Sequence, residues 1–234
     1  MITPGIRSPK WDGEHAFGEG WFAFRGQVAD NAVHAHAAMQ LTVGRQSAIE
    51  LMDGEGRLYR GRGLRVVPEE THQLMPCADA VLVLIDPVMA IDFGCDGPID
   101  DLPQTVISAF LVDGPLRSIV EAALSLDTAA VGDERLRDAL DALSSANGGT
   151  IAELANGVGL SVARLRALAK RELGLPLTKV AGHRRLVLAA EAIAGGASLA
   201  EAAADAGFAD QAHLTRVFKA TIGLTPGKAA RTLR

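Results

Sequence analysis

Residues 199–226 read LAEAAADAGFADQAHLTRVFKATIGLTP, and this stretch decides how the chain is organised. A short Ala-rich helix is followed by a turn at Gly207 and by a second helix, which Asp210 is placed to cap. The apolar residues of the second helix recur at the spacing of one helical face: Leu214, Val217, Phe218 and Ile222. This pattern predicts a helix-turn-helix.

The same pattern occurs once before in the chain. Residues 151–160, IAELANGVGL, align with LAEAAADAGF at a shift of 48 residues. The turn and the second helix then align at a shift of 49, which pairs Ser161 with Asp210 and Gly174 with Gly223. A repeat with equivalent capping residues and glycines predicts two tandem helix-turn-helix units.

The tandem unit resembles the DNA-binding domain of the AraC family of transcription regulators, in which a Pro follows the last turn of the second unit. The resemblance covers residues 150–234 and implies binding to double-stranded DNA, with RNA polymerase as a further partner. Residues 177–194 predict a long helix that sets the separation of the two recognition helices. Arg185 matches an arginine of the family in this helix. With His183 and Arg184 it either contacts phosphate or forms internal ion pairs, and we expect the structural role.

The charge of the chain divides near the start of the repeat. Residues 1–149 contain 11 Lys and Arg against 22 Asp and Glu, a net charge of −11, whereas residues 150–234 contain 12 against 6, a net charge of +6. This division favours phosphate binding by the C-terminal half. No apolar run approaches the ~20 residues of a membrane span and no signal-peptide core is present, so we expect a cytoplasmic protein without a membrane partner.

The N-terminal half predicts short strands separated by turns. The strand candidates are residues 21–25, 33–43, 48–52, 64–67 and 81–85. An all-β sandwich or small barrel follows. With 234 residues, the chain has material for two domains, which we place at 1–147 and 148–234. Cys77 and Cys95 lack the spacing of a metal site and are expected to be reduced thiols.

Three of the six histidines lie in two motifs of this half. If residues 34–41 form a strand, His34, His36 and Gln40 share one face. This HxH strand, followed by a segment that ends in His72, resembles the cupin sensor domain of the same family, which implies an effector site at these four residues. Gln40 stands where enzymatic cupins have a metal-binding Glu, which argues against a catalytic metal centre. The sequence leaves open a divalent ion such as zinc or nickel on the three histidines, or a metal-free pocket for an organic effector.

Two amphipathic helices are predicted between the strands and the repeat. Their apolar stripes are Leu116, Ile119, Val120, Ala123 and Leu124 in the first, and Leu136, Leu140 and Leu143 in the second. Either these helices cover the barrel or, as the resemblance implies, one of them forms a homodimer. We expect a homodimer through the stripe at 116–124. Residues 144–150, which are polar with two glycines, predict a linker to the DNA-binding half.

The helical period selects the side chains that face DNA, because the apolar face of each recognition helix is buried. The candidates are Ala163, Arg164, Arg166, Ala167 and Lys170 in the first helix, and Gln211, Ala212, His213, Thr215, Arg216 and Lys219 in the second. Arg, Gln and Thr can read base edges, whereas Lys more often holds phosphate. Arg166 is therefore the main candidate reader in the first helix.

We therefore expect a two-domain α+β protein, with an N-terminal cupin-like β-barrel and a C-terminal all-α tandem helix-turn-helix. Its expected function is sequence-specific regulation of transcription, controlled by a small molecule or a metal ion in the cupin-like domain. Two alternatives remain: a metal-dependent cupin enzyme fused to a DNA-binding module, and an architectural DNA binder whose barrel only dimerises. The sequence contains no recognisable Ser/His/Asp set, paired-carboxylate site or phosphate loop, so we expect no catalytic activity.

Overall fold

The structure, a computed structural model, describes residues 11–89, 96–125, 133–143 and 150–232. Within these ranges, the N-terminal half contains nine strands. They are β1 (Asp12–Gly18), β2 (Trp21–Val28), β3 (Met39–Gly44), β4 (Ile49–Asp53), β5 (Leu58–Gly61), β6 (Gly63–Val66), β7 (His72–Leu74), β8 (Cys77–Ile85) and β9 (Ile99–Asp101). Cys95 and residues 144–149 of the predicted linker lie outside the described residues, whereas Cys77 is a free thiol at the start of β8.

The strands pair antiparallel in two sheets that share one core. The larger sheet has the order β1-β2-β8-β3-β6-β9, and the smaller has the order β5-β4-β7. Phe24 and Leu82 of the larger sheet and Leu51 and Leu74 of the smaller sheet pack in this core. Along β8 the side chains alternate, so that neighbours of Leu82 reach the opposite face of the sheet. The predicted sheet-rich N-terminal domain is therefore present.

The predicted strand at 33–43 is shorter than expected, because β3 begins only at Met39. Residues 35–38 belong to no strand, and His34 pairs with His72 through two backbone hydrogen bonds of 3.0 and 2.9 Å. Ala38 packs in the core between the sheets, whereas Ala37 packs among helices that precede and form the first helix-turn-helix unit. The segment leaves the sheet because its carbonyl groups are bonded elsewhere: that of His36 accepts from the backbone N–H of Glu69 at 2.7 Å, and that of Ala38 lies 2.9 Å from Nδ1 of the His36 ring.

Two helices cover the outer face of the larger sheet: α1 (Gln104–Phe110) and α2 (Leu116–Leu124). The stripe of α2 that was expected to form a homodimer is at most 3% exposed and packs with Val81 and Val83 of β8. This corrects the predicted dimer surface, since the sheet of the same chain already buries it. A homodimer would need another surface.

The next helix, α3 (Glu134–Leu143), packs elsewhere. Its residues Leu136 and Leu140 are fully buried in one core with Leu154 and Leu165 of the first helix-turn-helix unit. The predicted boundary at 147/148 falls among residues outside the described ranges. Although α3 precedes that boundary in sequence, its apolar face belongs to the C-terminal packing.

The C-terminal half is helical. It consists of α4 (Ile151–Gly157), α5 (Val162–Leu173), α6 (Leu177–Ala194), α7 (Leu199–Asp205), α8 (Gln211–Ile222) and α9 (Pro226–Thr232). The long helix has the predicted bounds. Among the described helices, none is both long and apolar enough to cross a membrane.

The sequence repeat is visible in the helix ends. Thr150 and Ser198 each begin a capping box. The side chain of Thr150 accepts from the backbone N–H of Glu153, and the carboxylate of Glu153 accepts from the backbone N–H of Thr150. Ser198 and Glu201 form the same two bonds. The second helix of each unit is capped by Ser161 or Asp210 at its start. Each ends at a glycine in the left-handed region, Gly174 with φ 68° and Gly223 with φ 74°.

Helix α6 joins the two units because it enters both of their cores. Leu177 and Val180 pack in the first core, and Leu186 and Ile193 pack in the second. Both predicted structural arginines of α6 are engaged within the protein. Arg185 donates hydrogen bonds to the carbonyl oxygens of Ala206 and Gly207, and its guanidinium lies 4.5 Å from the centre of the Phe208 ring.

Arg184 connects α6 to the N-terminal half. Its Nε lies 2.9 Å from Oδ2 of Asp86, and the two side chains are only 11% and 9% exposed. Arg184 also donates to the carbonyl of Leu140 in α3. Two further contacts join the halves: Lys179 pairs with Glu69 at 2.8 Å, and the backbone N–H of Ala32 donates to Gly223 at 3.2 Å.

Gly223 and Gly174 form a matched pair that tests the contact between the halves. A Cβ on Gly223 would lie 2.7 Å from the oxygen of Ala32 and 2.9 Å from Nδ1 of His34, whereas no described atom lies within 4 Å of a Cβ on Gly174. Gly174→Ala should cost about 1 kcal/mol, because only the left-handed backbone opposes it. Gly223→Ala should cost about 1–3 kcal/mol more, because it also displaces the N-terminal half. Urea unfolding of the full chain measures both, and equal losses would contradict this contact.

Candidate functional site

The outer faces of α5 and α8 present the side chains selected for DNA. Nine of the eleven candidates are exposed: Ala163, Arg164, Arg166, Ala167 and Lys170 on α5, and Gln211, Ala212, Arg216 and Lys219 on α8. The other two, His213 and Thr215, are half-buried. The ring of His213 packs edge-on against Phe208 at 5.4 Å, and its Nδ1 accepts from the backbone N–H of Ala209, so it contributes to the turn before α8.

The cations of this half fall into two groups. Several are engaged within the protein, including Lys170, whose Nζ donates to the carbonyl of Gly174 at 2.7 Å, and Arg171, which pairs with Glu172. In the described part of the chain no salt bridge involves Arg164 or Arg166 on α5, or Arg216 or Lys219 on α8. Each recognition helix therefore presents two exposed cations that are available for phosphate or base contacts.

A second site lies where the N-terminal half meets the helices. His34, His36 and His72 come together there, and their nearest ring nitrogens all lie within 4.8 Å of one another. Gln40 joins them, with its Oε1 at 3.3 Å from Nε2 of His36 and 3.2 Å from Nε2 of His72. The predicted effector residues therefore form one cluster, although residues 35–38 are not the strand that was expected to align them.

The backbone fixes the orientation of all three imidazoles. Nδ1 of His34, His36 and His72 lies 2.8, 2.9 and 2.8 Å from the carbonyl oxygens of Ala32, Ala38 and Glu70. A carbonyl oxygen only accepts, so in each neutral ring the proton resides on Nδ1. Each Nε2 then carries an unprotonated lone pair.

These lone pairs give the cluster an excess of acceptors. Oε1 of Gln40 faces two of them, while its Nε2 donates to the hydroxyl of Thr42 at 3.1 Å. The excess is removed in two ways: rotation of the Gln40 amide turns its NH₂ group toward both rings, or a cation enters among the acceptors. The cluster thus has the donor chemistry of a cation site.

Burial keeps these histidines neutral. It lowers the pKa of His34 to about 4 and that of His72 to about 3, and it also lowers the pKa of His36. Neutral imidazole is the form that binds zinc or nickel. Tetrahedral zinc with bonds of about 2.0–2.1 Å holds its nitrogen ligands about 3.4 Å apart, so the rings need only a small inward movement.

His34, His36 and Gln40 form one wall of a cavity between the two halves, which we call the interdomain cavity. Its volume is about 100 Å³. The sheet contributes the aromatic rings of Trp11, Phe17, Phe22 and Phe24, and the helices contribute Leu186, Val187, Ala190, Phe218 and Ile222. The polar lining residues are His34, His36, Gln40 and His183. Among the described lining residues there is no Lys, Arg, Asp or Glu.

His183 is the cavity residue that sequence reasoning missed, since only a phosphate contact or a structural role was considered for it. It lies on α6, is 5% exposed and lines the interdomain cavity. Burial lowers its pKa, Asp86 opposes this shift, and Arg184 adds to it. A sequence signal existed, because His183 lies three residues from Val180 and from Leu186 on the apolar face of the helix.

Comparison with known proteins identifies the C-terminal half. A family model described as a helix-turn-helix domain matches residues 154–232. Residues 154–232 form an AraC-type helix-turn-helix domain. No curated protein sequence matches the chain.

Solved structures extend the likeness to the whole chain. An apo variant of ToxT from Vibrio cholerae matches with a TM-score of 0.61 and 12% identity, over 92% of this chain and 98% of that one. ToxT with a bound unsaturated fatty acid gives 0.59 and 11%, over 91% and 95%. ToxT bound to (E)-4-(8-methylnaphthalen-1-yl)but-3-enoic acid gives 0.58 and 10%, over 92% and 100%. At these identities the likeness establishes the fold, in which a sheet-rich half precedes the AraC-type domain.

Proposed function

We propose that this DNA-binding transcription regulator reads duplex DNA with α5 and α8, and that an organic effector in the interdomain cavity controls its binding. The observation that carries the proposal is that α8 belongs to both sites. Its outer face presents Arg216 and Lys219, while Phe218 and Ile222 of the same helix line the cavity. Filling the cavity therefore acts directly on a recognition helix.

The DNA-binding part of the proposal rests on how α6 holds the two units. Helix α6 has 18 residues, so it is about 27 Å long at 1.5 Å per residue. Because it packs in the cores of both units, it holds α5 and α8 in a fixed relation. Insertion of both helices into successive major grooves requires a separation of about one DNA turn, ~34 Å. Arg166 and Arg216 are the base readers in this arrangement, and Lys219 holds phosphate.

The effector part rests on the contacts at the end of α8. Ile222 also packs at the edge of the core between the sheets, and Gly223 lies against Ala32 and the ring of His34. A ligand in the cavity touches both halves at this point. It shifts the DNA-binding equilibrium to the extent that it binds one arrangement of the halves more tightly than another.

Two further observations favour a regulator with an organic effector. The ligands named for ToxT, an unsaturated fatty acid and a naphthyl butenoic acid, are organic acids with large apolar parts, and the cavity of this chain is mostly apolar. The cavity also lies between the two halves of the chain, and small-molecule sites occur preferentially at such interfaces. The cupin-like character of the sensor, the homodimer and contact with RNA polymerase stay predictions.

A second candidate for the effector is a divalent metal ion on His34, His36 and His72. The observation that favours it is the convergence of three imidazoles, one nitrogen of each lying within 4.8 Å of the others, while a backbone carbonyl holds each ring. When bound, zinc or nickel would supply a fixed positive charge beside the cavity. The residues of this chain would hold the ion through three neutral imidazoles, and Gln40 would add a weak oxygen ligand.

The recognition helices are tested by alanine substitutions that each remove one positive charge. Arg166→Ala and Arg216→Ala should each weaken binding to a selected duplex by about 1–3 kcal/mol and relax its specificity. Lys219→Ala should weaken binding to selected and scrambled duplexes alike and reduce the salt slope by about 1. Arg171→Ala is the matched control, because Arg171 is exposed on α5 but paired with Glu172. Fluorescence anisotropy at several salt concentrations measures all four variants.

Two outcomes would contradict the assignment of these roles. Equal losses on selected and scrambled DNA would show that Arg166 and Arg216 do not read bases. A loss for Arg171→Ala as large as that for Arg166→Ala would show that the outer face of α5 has no special part in binding.

The metal site is tested on protein purified without a His tag. Elemental analysis followed by calorimetric titration should show about one zinc or nickel per chain, bound at micromolar concentration, if the site is a metal centre. His34→Ala and His72→Ala should abolish this binding, whereas His213→Ala, which removes a histidine from the turn before α8, should retain it. Substoichiometric metal together with no binding at micromolar ion would reject the metal candidate.

A further inference from the structure

The interdomain cavity gathers many of the aromatic side chains of the chain. Its described lining includes Trp11, Phe17, Phe22 and Phe24 from the sheet side and Phe218 from α8. The whole sequence contains only two Trp, one Tyr and seven Phe, so at least five of these ten residues border one cavity. In a chain with few aromatic residues, this concentration gives the cavity a wall suited to another ring.

The rings on the sheet side form two tilted pairs. The ring centres of Trp11 and Phe24 are 5.2 Å apart with an interplanar angle of 59°, and those of Phe17 and Phe22 are 5.0 Å apart with an angle of 50°. Aromatic rings attract one another in tilted and edge-to-face arrangements, because the negative face of one ring meets the positive edge of another. A planar ring in the cavity extends this pattern, whereas a saturated ring has no π face to contribute.

The polar residues on the same side of the cavity already have partners within the protein. Nδ1 of His34 and Nδ1 of His36 are each bonded to a backbone carbonyl. Gln40 contacts the rings of His36 and His72 and donates to the hydroxyl of Thr42. These hydrogen bonds orient the polar groups within the wall, so the contacts that the cavity offers to a ligand are mostly apolar.

The lining provides no charge to pair with an anion. Among the described lining residues there is no Lys or Arg. The adjacent cation, Arg184, lines a neighbouring groove and is held by Asp86 and by the carbonyl of Leu140. Burial of a carboxylate without a cation is strongly unfavourable. The cavity therefore favours a neutral ligand.

The size of the cavity restricts the ligand further. Its volume is about 100 Å³. An engineered apolar cavity of about 150 Å³ stays dry and binds benzene. The interdomain cavity therefore has room for one six-membered ring with at most a short substituent.

We propose that the interdomain cavity binds a small, neutral, single-ring aromatic molecule of the alkylbenzene class, held between the aromatic side chains of the sheet and the apolar side chains of α6 and α8. The proposal deepens the proposed function, on which it rests for the role of the cavity, by naming the class of effector. The class differs from the acids named for ToxT, because the described lining of this cavity contains no Lys or Arg.

Three probes that share an ethyl group test the proposal on the full chain by isothermal titration calorimetry. They are ethylbenzene, ethylcyclohexane and 4-ethylbenzoate, and a chelator ensures that no metal ion on the histidines pairs with the carboxylate. We expect ethylbenzene to bind at least about threefold more tightly than ethylcyclohexane, although the saturated ring is the more hydrophobic. It should bind at least about a hundredfold more tightly than 4-ethylbenzoate. Tightest binding of either other probe, or no binding of ethylbenzene up to its solubility limit, would overturn the proposal.

Two leucine substitutions locate the bound ring. Ala190→Leu fills the cavity from α6 and should abolish the binding of ethylbenzene. Ala122→Leu adds the same group on the exposed face of α2 and should leave this binding unchanged. Undiminished binding by a folded Ala190→Leu protein would show that the ring binds elsewhere.

A substitution in the opposite wall tests the aromatic contact, and it also decides if Ala190→Leu does not fold. Phe22→Leu removes one ring of the sheet side, so it should reduce the advantage of ethylbenzene over ethylcyclohexane. Val187→Ala is the control in the helical wall, and it should weaken both probes without changing their ratio. An unchanged ratio in Phe22→Leu would contradict the aromatic contact.

A DNA measurement on the same samples separates this inference from the proposed function. If ethylbenzene binds as expected but leaves the affinity for the selected duplex unchanged, the ligand class stands and control of DNA binding by the cavity fails. If DNA binding responds to 4-ethylbenzoate rather than to ethylbenzene, control by the cavity stands and the ligand class is wrong.

Discussion

The buried ion pair between Asp86 and Arg184 is the interaction on which the arrangement of the two halves depends. Both side chains are about nine-tenths buried, and removing two charges from water is compensated only while they remain together. Arg184 also bonds α3, so one guanidinium joins the sheet-rich half, α3 and α6. Because α6 enters the cores of both helix-turn-helix units, its position relative to the sheet determines the positions of α5 and α8 relative to the sheet.

The interdomain cavity lies beside this ion pair and has walls from the same two halves. A cavity lined by apolar groups forfeits packing energy, so a ligand that fills it stabilises the arrangement of the halves that encloses it. Phe218 and Ile222, on the inner face of α8, line the cavity directly. At the end of the same helix, Gly223 lies against His34, which also lines the cavity. The cavity and the recognition helix α8 are thus coupled by direct packing.

The sequence predicted those features that depend on local chemistry. Capping residues and C-terminal glycines located the repeat and α6, and the histidine motifs located the cluster. It could not predict which surface an apolar stripe meets, so the stripe of α2 was assigned to a homodimer although it packs on its own sheet. It also could not show that the carbonyl groups of His36 and Ala38 are bonded to Glu69 and to the His36 ring, so that no strand forms before β3. The position of His183 in the cavity depends on how the two halves pack, and local pattern does not encode that.

The central claim is that occupancy of the interdomain cavity controls DNA binding, and a substitution that fills the cavity without any ligand tests it most directly. Ala190 lines the cavity from α6, whereas Ala122 is exposed on α2, so Ala190→Leu and Ala122→Leu add the same group inside and outside it. The measurement is the Kd of each variant for a duplex selected with the native protein. The account predicts a change of at least about fivefold for Ala190→Leu and none for Ala122→Leu. A native Kd for a folded Ala190→Leu protein would contradict it.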